Sequence, residues 1–352
     1  MKHIITILTV AAFSAVLLNS CQKAPVEKKG VPLTIQASVS APVGTKTLYE
    51  YDTESKTLEG FWNSEEAITV VSFGQGGITA VDTFTSTGER GRKKAEFSGT
   101  WTGNAGDKVI CLYPAVDPYT GSNSIFDAVR VGSPTIYMRN LSTASGVLQH
   151  DETSSISNVD LMLGEVKISG DVAHVELEHQ FAVFRIEVTL RNFPYEAPPG
   201  SPFDQARINS IRIKCVDPDS DEVEEWGLNG DPVFVRLSAL EVTTEEYNSS
   251  NGKPHTVERG PLDYYLLDSG NNSELCLIDE DVVEKTFFVP VRFDKDLEAG
   301  YELCLQFGGN YYNDEEGGRY PVTVFPGCDM RKTITSKLTL ENGKIYGFKV
   351  TI

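Results

Sequence analysis

The chain has 352 residues, 50 of them acidic and 31 basic, and a formal net charge of −19. Such an excess of acid repels phosphate backbones and sets nucleic acid aside as a partner. The length suits two domains of ordinary size, and no later apolar run approaches the roughly 20 residues needed to span a bilayer as a helix.

Met1-Lys2-His3 give a basic start, Ile4 to Leu18 are apolar, and Asn19-Ser20 lead to Cys21. A basic start, an apolar segment of about 15 residues and small residues before a cysteine read as a bacterial lipoprotein signal. Residues 1–20 are expected to be removed and the Cys21 sulfur to take diacylglycerol, which would tie the chain to a membrane by its new first residue. The alternative is a plain secretory signal with an incidental cysteine. Residues 21–32 are mostly polar, contain Pro25 and Pro32, and read as a tether.

Leu33–Ala41 alternates, with Leu33, Ile35, Ala37, Val39 and Ala41 in one row and Thr34, Gln36, Ser38 and Ser40 in the other. That is the period of a half-buried strand. Further strands are expected at Ala67–Phe73, Val81–Ser86, Ala95–Trp101, Lys108–Tyr113, Ala206–Cys215, Thr286–Phe293, Glu302–Phe307, Val322–Phe325, Ile334–Leu340 and Ile345–Ile352. Long amphipathic helical patterns are absent, and Ser238–Asn248 is the best short helix candidate. Many short strands divided by turn residues point to an all-β chain of sandwiches rather than an α/β sheet.

Val172–Leu190 changes phase part-way. Val175, Leu177, His179 and Phe181 share one parity, and Phe184, Ile186, Val188 and Leu190 share the other. A bulge near Ala182–Val183 or burial on both faces accounts for the slip. The Ser/Asn-rich segment Ser154–Asn158 lies upstream, and a domain boundary is expected near Gly170, giving residues 33–170 and 171–352.

No catalytic signature is present: no G-x-S-x-G, H-E-x-x-H, phosphate loop or dinucleotide fingerprint. Neither catalysis nor a cofactor is expected. Of the histidines, His174 and His179 are five apart on a strand and face opposite ways, so they cannot share a metal. His179 is in phase with apolar neighbours and is expected in the core with a hydrogen-bond partner. Asp217–Asp221 resembles the opening of a calcium loop, but Glu222 and Leu228 stand where Gly and a bidentate Glu belong, so a solvated acidic turn is expected, as for Asn313–Gly318. No metal site is assigned. Arg90–Lys94 is a basic cluster between two strands and reads as a hairpin loop. Beyond Cys21 the cysteines are Cys111, Cys215, Cys276, Cys304 and Cys328, widely spaced. Cys111 and Cys304 lie in apolar runs and are expected to be buried; one disulfide can be drawn, without a basis for choosing the pair.

Four local patterns, in this order, resemble the fimbrillin family of Bacteroidota, the subunits of type V pili. They are Lys46-Thr47 with Phe61-Trp62-Asn63-Ser64-Glu65-Glu66-Ala67-Ile68-Thr69-Val70; Phe97-Ser98-Gly99 leading to Leu112-Tyr113-Pro114; His179-Gln180-Phe181-Ala182-Val183-Phe184-Arg185-Ile186; and the closing Asn342-Gly343-Lys344-Ile345-Tyr346-Gly347-Phe348-Lys349-Val350-Thr351-Ile352. The resemblance implies two tandem transthyretin-like (Greek-key) β-sandwich domains, an outer-membrane lipoprotein at the cell surface or in a fimbrium, and assembly by donor-strand exchange. In that process a protease removes the first strand after a basic residue and a neighbour's strand fills the groove. Lys46 stands where Arg is usual. The exchanging rows would be Leu33, Ile35, Ala37 and Val39 at one end and Tyr346, Phe348, Val350 and Ile352 at the other. Implied partners are other fimbrial subunits, the same or paralogous, the outer membrane through the lipid, and a ligand on a host or bacterial surface. The alternative function is a surface glycan-binding lipoprotein, with Tyr264-Tyr265 and Tyr311-Tyr312 as candidate stacking residues.

Overall fold

The structure is a computed structural model. It describes residues 30–39, 48–52, 57–62, 64–88, 94–123, 125–126, 129–133, 136–138, 148–149, 160–190, 205–216, 233–236, 240–243, 245–247, 254–256, 262–267, 275–276, 283–291, 296–313, 318–322 and 328–351. Among these the chain is all-β, without a helix. The first half holds β1 (Val31–Val39), β2 (Leu48–Asp52), β3 (Thr57–Phe61), β4 (Ala67–Gly74), β5 (Gly77–Ser86), β6 (Ala95–Trp101), β7 (Lys108–Tyr113), β8 (Ile136–Met138), β9 (Leu148–Gln149), β10 (Met162–Glu165), β11 (Lys167–Ser169) and β12 (Val172–His179). The second half holds β13 (Ala182–Leu190), β14 (Gln205–Val216), β15 (Val233–Arg236), β16 (Glu241–Thr243), β17 (Glu245–Tyr247), β18 (Pro254–Thr256), β19 (Leu262–Leu267), β20 (Leu275–Cys276), β21 (Val283–Val291), β22 (Glu302–Asn313), β23 (Gly318–Val322), β24 (Asp329–Thr333) and β25 (Ile345–Thr351).

Eight strands of the first half, β1, β4–β7 and β10–β12, form one sheet that closes on itself, while β2 and β3 pair with each other and β8 and β9 pair with strands of the second half. The order of the closed sheet is β1-β6-β5-β4-β7-β10-β12, with β11 beside β12 and β12 pairing back onto β1. Alternation then sorts side chains to an inside and an outside. Leu33, Ile35, Ala37, Ile68, Val70, Phe84, Ala95, Phe97, Val109, Cys111, Tyr113, Met162, Ala173, Val175 and Leu177 make one buried cluster inside the ring, joined by Trp62. The outward residues of β4, β7 and β10, namely Val71, Ile110, Leu112 and Leu163, are also buried, because they belong to a second cluster shared with the rest of the chain. That two-sided burial is why β7 reads as the continuous apolar run Val109-Ile110-Cys111-Leu112. Gly99 marks the corner where β6 lies against β5: a Cβ there would come within 2.8 Å of the Phe84 ring and 2.9 Å of the Thr83 carbonyl oxygen.

In the second half, β21-β13-β25 form a three-stranded sheet, and β23-β22-β14-β19 form a larger one to which β9 of the first half adds beside β19. Phe184, Ile186, Val188, Phe287, Val289 and Val291 from the first join Ile211, Ile213, Leu303, Leu305 and Phe307 from the second in the shared cluster. Burying each such side chain contributes about 2 kcal/mol.

The phase slip in Val172–Leu190 is a change of sheet. β12 alternates exposed and buried from Val172 to His179 within the ring, and β13 starts at Ala182 in the three-stranded sheet. Gln180 and Phe181 make the crossing, with the Gln180 N–H donating to the Leu161 carbonyl at 2.8 Å and the Phe181 carbonyl accepting from Gly343 at 2.7 Å. A boundary at Gly170 therefore cuts β12 away from its partners β1, β10 and β11; the chain leaves the ring only after His179. The Ser/Asn-rich segment Ser154–Asn158 pointed to a boundary ahead of this stretch, whereas the sheet change carries no turn residue.

Two other expectations are corrected. Ser238–Asn248 is not helical where described: Glu241–Thr243 and Glu245–Tyr247 are strands, in keeping with the β-branched Val242 and Thr243. Ile334–Leu340 is not a strand; the strand is Asp329–Thr333, and Leu338 makes an isolated bridge to Leu297. Of Val322–Phe325, only Val322 is described, as the end of β23.

Candidate functional site

In the ring, β1 lies between β6 and β12 and pairs with both. It runs antiparallel to β6, from Val31 opposite Trp101 to Ala37 opposite Ala95, and parallel to β12, from Thr34 opposite Val172 to Val39 opposite Leu177. Both edges are thus engaged, and the Thr34 N–H also donates to the Asp171 carbonyl at 3.1 Å. Leu33, Ile35 and Ala37 are 5%, 0% and 1% exposed. Their level-by-level neighbours alternate in size: Leu33 lies opposite Gly99, Ile35 lies between Phe97 and Ala173, and Ala37 lies between Ala95 and Val175. Deeper in the ring, Trp62 stands edge-on to Phe97 at 5.0 Å and to Tyr113 at 5.4 Å. On the outer face the Gln36 amide donates to Glu96 at 3.0 Å. Removing β1 would leave unpaired backbone on β6 and β12 and an apolar slot floored by aromatic rings.

At the other end of the chain, β25 pairs parallel with β13 alone among the described residues, from Ile345 opposite Val183 to Thr351 opposite Thr189. Tyr346 and Phe348 are half-buried, and Val350 is 6% exposed. Phe348 and Tyr346 stand edge-on to Phe184, with centroids 4.7 Å and 6.4 Å away. The Tyr346 hydroxyl donates to the Thr339 carbonyl at 3.1 Å and accepts from the Glu341 N–H at 2.9 Å. Lys349 pairs with Glu187 at 2.8 Å, and Glu187 also holds Arg185.

The two regions meet at His179. It is 7% exposed and its Nδ1 lies 2.8 Å from Asp160 Oδ1, itself 3% exposed at the residue level. Gly343, at φ +75°, turns the chain into β25 directly over the imidazole: a Cβ at Gly343 would sit 3.2 Å from His179 Cδ2. The apolar phase placed His179 in the core; that Asp160 is its partner carried no signal, since the two are brought together by β10 and β12 pairing. His174 is exposed on the opposite face.

The remaining sequence-derived positions divide cleanly. Cys21, Lys46, Ile352, Asp217–Asp221 and Arg90–Lys93 lie outside the described residues. Tyr264-Tyr265 fall on β19 and Tyr311-Tyr312 on β22. Cys111, Cys215, Cys304 and Cys328 are buried thiols that are not joined in disulfides. Burial pushes the Cys111 thiol far up, and the Cys328 thiol up to about 11. Among the described residues no three His, Cys, Asp or Glu side chains gather as a metal site would require. The role of β12 as one wall of the β1 slot was missed; its clean alternation was visible, its parallel pairing to a strand so far away in sequence was not.

No family model and no curated protein matches the chain. Among solved structures it is similar to a "putative cell adhesion protein" from Bacteroides ovatus ATCC 8483, at 11% identity over 92% of each chain with a TM-score of 0.41. It is similar to a second, so described, from Bacteroides eggerthii DSM 20697, at 16% identity over 93% of this chain and 87% of that one, with a TM-score of 0.39. The fimbrial anchor protein Mfa2 from Porphyromonas gingivalis is similar at 10% identity over 91% of each chain, with a TM-score of 0.35. At these identities and scores the likeness assigns neither a function nor a site.

Proposed function

We propose that this chain is a structural or adhesion subunit of a type V pilus, exported as an outer-membrane lipoprotein through Cys21 and assembled by exchange of its first strand. The observation that carries the reading is the double pairing of β1. A strand paired on both edges, and whose inward row is buried, leaves on removal a site of its own shape. Lys46 lies in the link that follows β1, so a cut there would free the strand while leaving the body of the ring continuous. The incoming strand would meet main-chain donors and acceptors on both sides, with side-chain pockets giving specificity. Such a subunit performs no turnover chemistry, and its partners are other fimbrial subunits, the same or paralogous. The transthyretin-like description of the two halves belongs to this proposal: the closed ring is read as a sandwich whose two layers stay joined through β1.

The test is made on cells and on purified protein. Cys21→Ala is expected to release the protein from the membrane fraction or to stall its maturation; normal maturation with membrane retention would remove the lipid anchor from the account. Electron microscopy with a label on the protein is expected to mark surface fibres. Treatment with a Lys/Arg-specific protease is expected to yield higher-order species. Stable monomers that retain residues 31–39 after a cut following Lys46 would contradict exchange and leave an anchor or a simple binding protein.

A further inference from the structure

The outward row of β12 is exposed: Val172, His174, Glu176 and Glu178 alternate with the buried Ala173, Val175, Leu177 and His179. Strand pairing extends this row to both sides. Gln36 and Ser38 of β1 stand level with His174 and Glu176. On the other side Leu163 of β10 stands level with Glu178, and Lys167 of β11 with His174. Between those two contacts the ladder lapses: β10 leaves β12 after Leu163, and pairing resumes only at Lys167. In that interval Val166 is committed to β7, its N–H donating to the Val109 carbonyl at 2.9 Å. A cavity of about 800 Å³ takes in the lapse, lined by β1, β10, β11 and β12 together with Lys94 and Leu240. Its volume falls in the range of roughly 300–1,000 Å³ usual for small-molecule sites.

The lining groups restrict the ligand. Glu165, Glu176 and Glu178 bring carboxylates, Lys94 and Lys167 bring ammonium groups, and His174 brings an imidazole. Glu165 pairs with Lys108 at 3.7 Å. Among the described residues, the side chains of Lys94, Lys167, His174, Glu176 and Glu178 make no ion pair or hydrogen bond. An anionic ligand would meet the carboxylates, and a cationic one the ammonium groups. An apolar ligand would strip water from both without replacing its hydrogen bonds. A neutral hydroxyl suits both signs, since it donates to a carboxylate and accepts from an ammonium. Leu163 and Leu240 add apolar surface for the C–H face of a ring.

We propose that this cavity is a binding site for a neutral saccharide, with Glu176 and Glu178 accepting from its hydroxyls and Lys167 donating to them. It supplies the adhesion contact of the subunit. The site lies apart from the tyrosine pairs, which fall on β19 and β22. The cavity is complete in the uncut chain, so its test is separate from that of strand exchange.

The experiment applies the full mature chain, uncut, to an array of neutral, sulfated and sialylated oligosaccharides, with pentalysine as a cationic probe. The best neutral binder is then titrated by calorimetry. Glu176→Gln and Lys167→Gln are each expected to weaken it about tenfold, the scale of one hydrogen bond to a charged group. Both side chains are exposed, so the melting temperature should not move. Glu178→Gln gives a third variant should one of the two fold poorly. Absence of neutral binding would overturn the proposal. So would a preference for sulfated or sialylated chains or for pentalysine, since one sign of charge would then choose the ligand. Neutral binding that the variants retain, whether or not Tyr264→Ala or Tyr311→Ala abolishes it, would place the saccharide elsewhere and overturn the site.

Discussion

β1 and β25 look alike in the sequence, since each alternates and presents one apolar row at an end of the chain, yet the fold uses them differently. β1 is paired on both edges and closes a ring, whereas β25 adds to one side of a three-stranded sheet. The inward row of β1 is almost wholly buried, but in β25 only Val350 reaches that state while Tyr346 and Phe348 stay half-buried. The lesson is that a strand's exchangeability is set by what its removal exposes. Taking away β25 uncovers one side of Phe184 and one edge of β13; taking away β1 opens the ring to its aromatic centre.

The contrast can be broken by mutation, starting with the greatest effect. Ile35→Ala removes a fully buried side chain from the ring and is expected to cost about 3 kcal/mol, within the 2–5 kcal/mol typical of such truncations. Denaturant unfolding measures it, and a loss under about 1 kcal/mol would mean that β1 is not integral to the ring. Asp160→Ala removes the carboxylate that lies 2.8 Å from the buried His179 Nδ1, at a cost of about 2 kcal/mol. Its effect should appear in both halves when hydrogen exchange is followed segment by segment; confinement to the ring would separate the regions. Phe348→Ala gives up one edge-on aromatic contact and partial burial, about 1.5 kcal/mol by calorimetry. It should leave the protection of β1 unchanged. Lys349→Ala removes a pair whose lysine is 83% exposed, and less than about 0.5 kcal/mol is expected at physiological salt. An Ile35→Ala cost no larger than that of Phe348→Ala would erase the distinction between the two strands.

Much of this was legible in the sequence, for local reasons. Clean alternation located β1, β6 and β25, and continuous apolar runs located β4 and β7, to within a residue or two; the phase slip flagged the crossing from the ring to the three-stranded sheet. What was not legible is long-range pairing. Nothing in Val172–His179 announces that it runs parallel to Val31–Val39, so the ring itself, and with it the slot, had to come from the fold. Gly170, at φ +70°, forms the turn between β11 and β12, which pair within one sheet. His179 was placed by its apolar neighbours, but Asp160 was not, since a single carboxylate ahead of a strand has no pattern. The row Ile334–Leu340 failed because alternation there serves an irregular segment pinned by Leu338 on Leu297 rather than a strand.

Thiol labelling of a chain lacking residues 1–39 tests the central claim most directly. Cys111 lies inside the ring and Cys328 in the shared core, both buried and with thiols held up in pKa, so neither is expected to react at pH 8 in the full chain. Without β1, Cys111 should become reactive while Cys328 stays protected, and adding a peptide of residues 31–39 should silence Cys111 again. A shortened chain that protects Cys111 as well as the full one does, or that exposes both cysteines together, would contradict β1 as the replaceable strand of a ring that survives its loss.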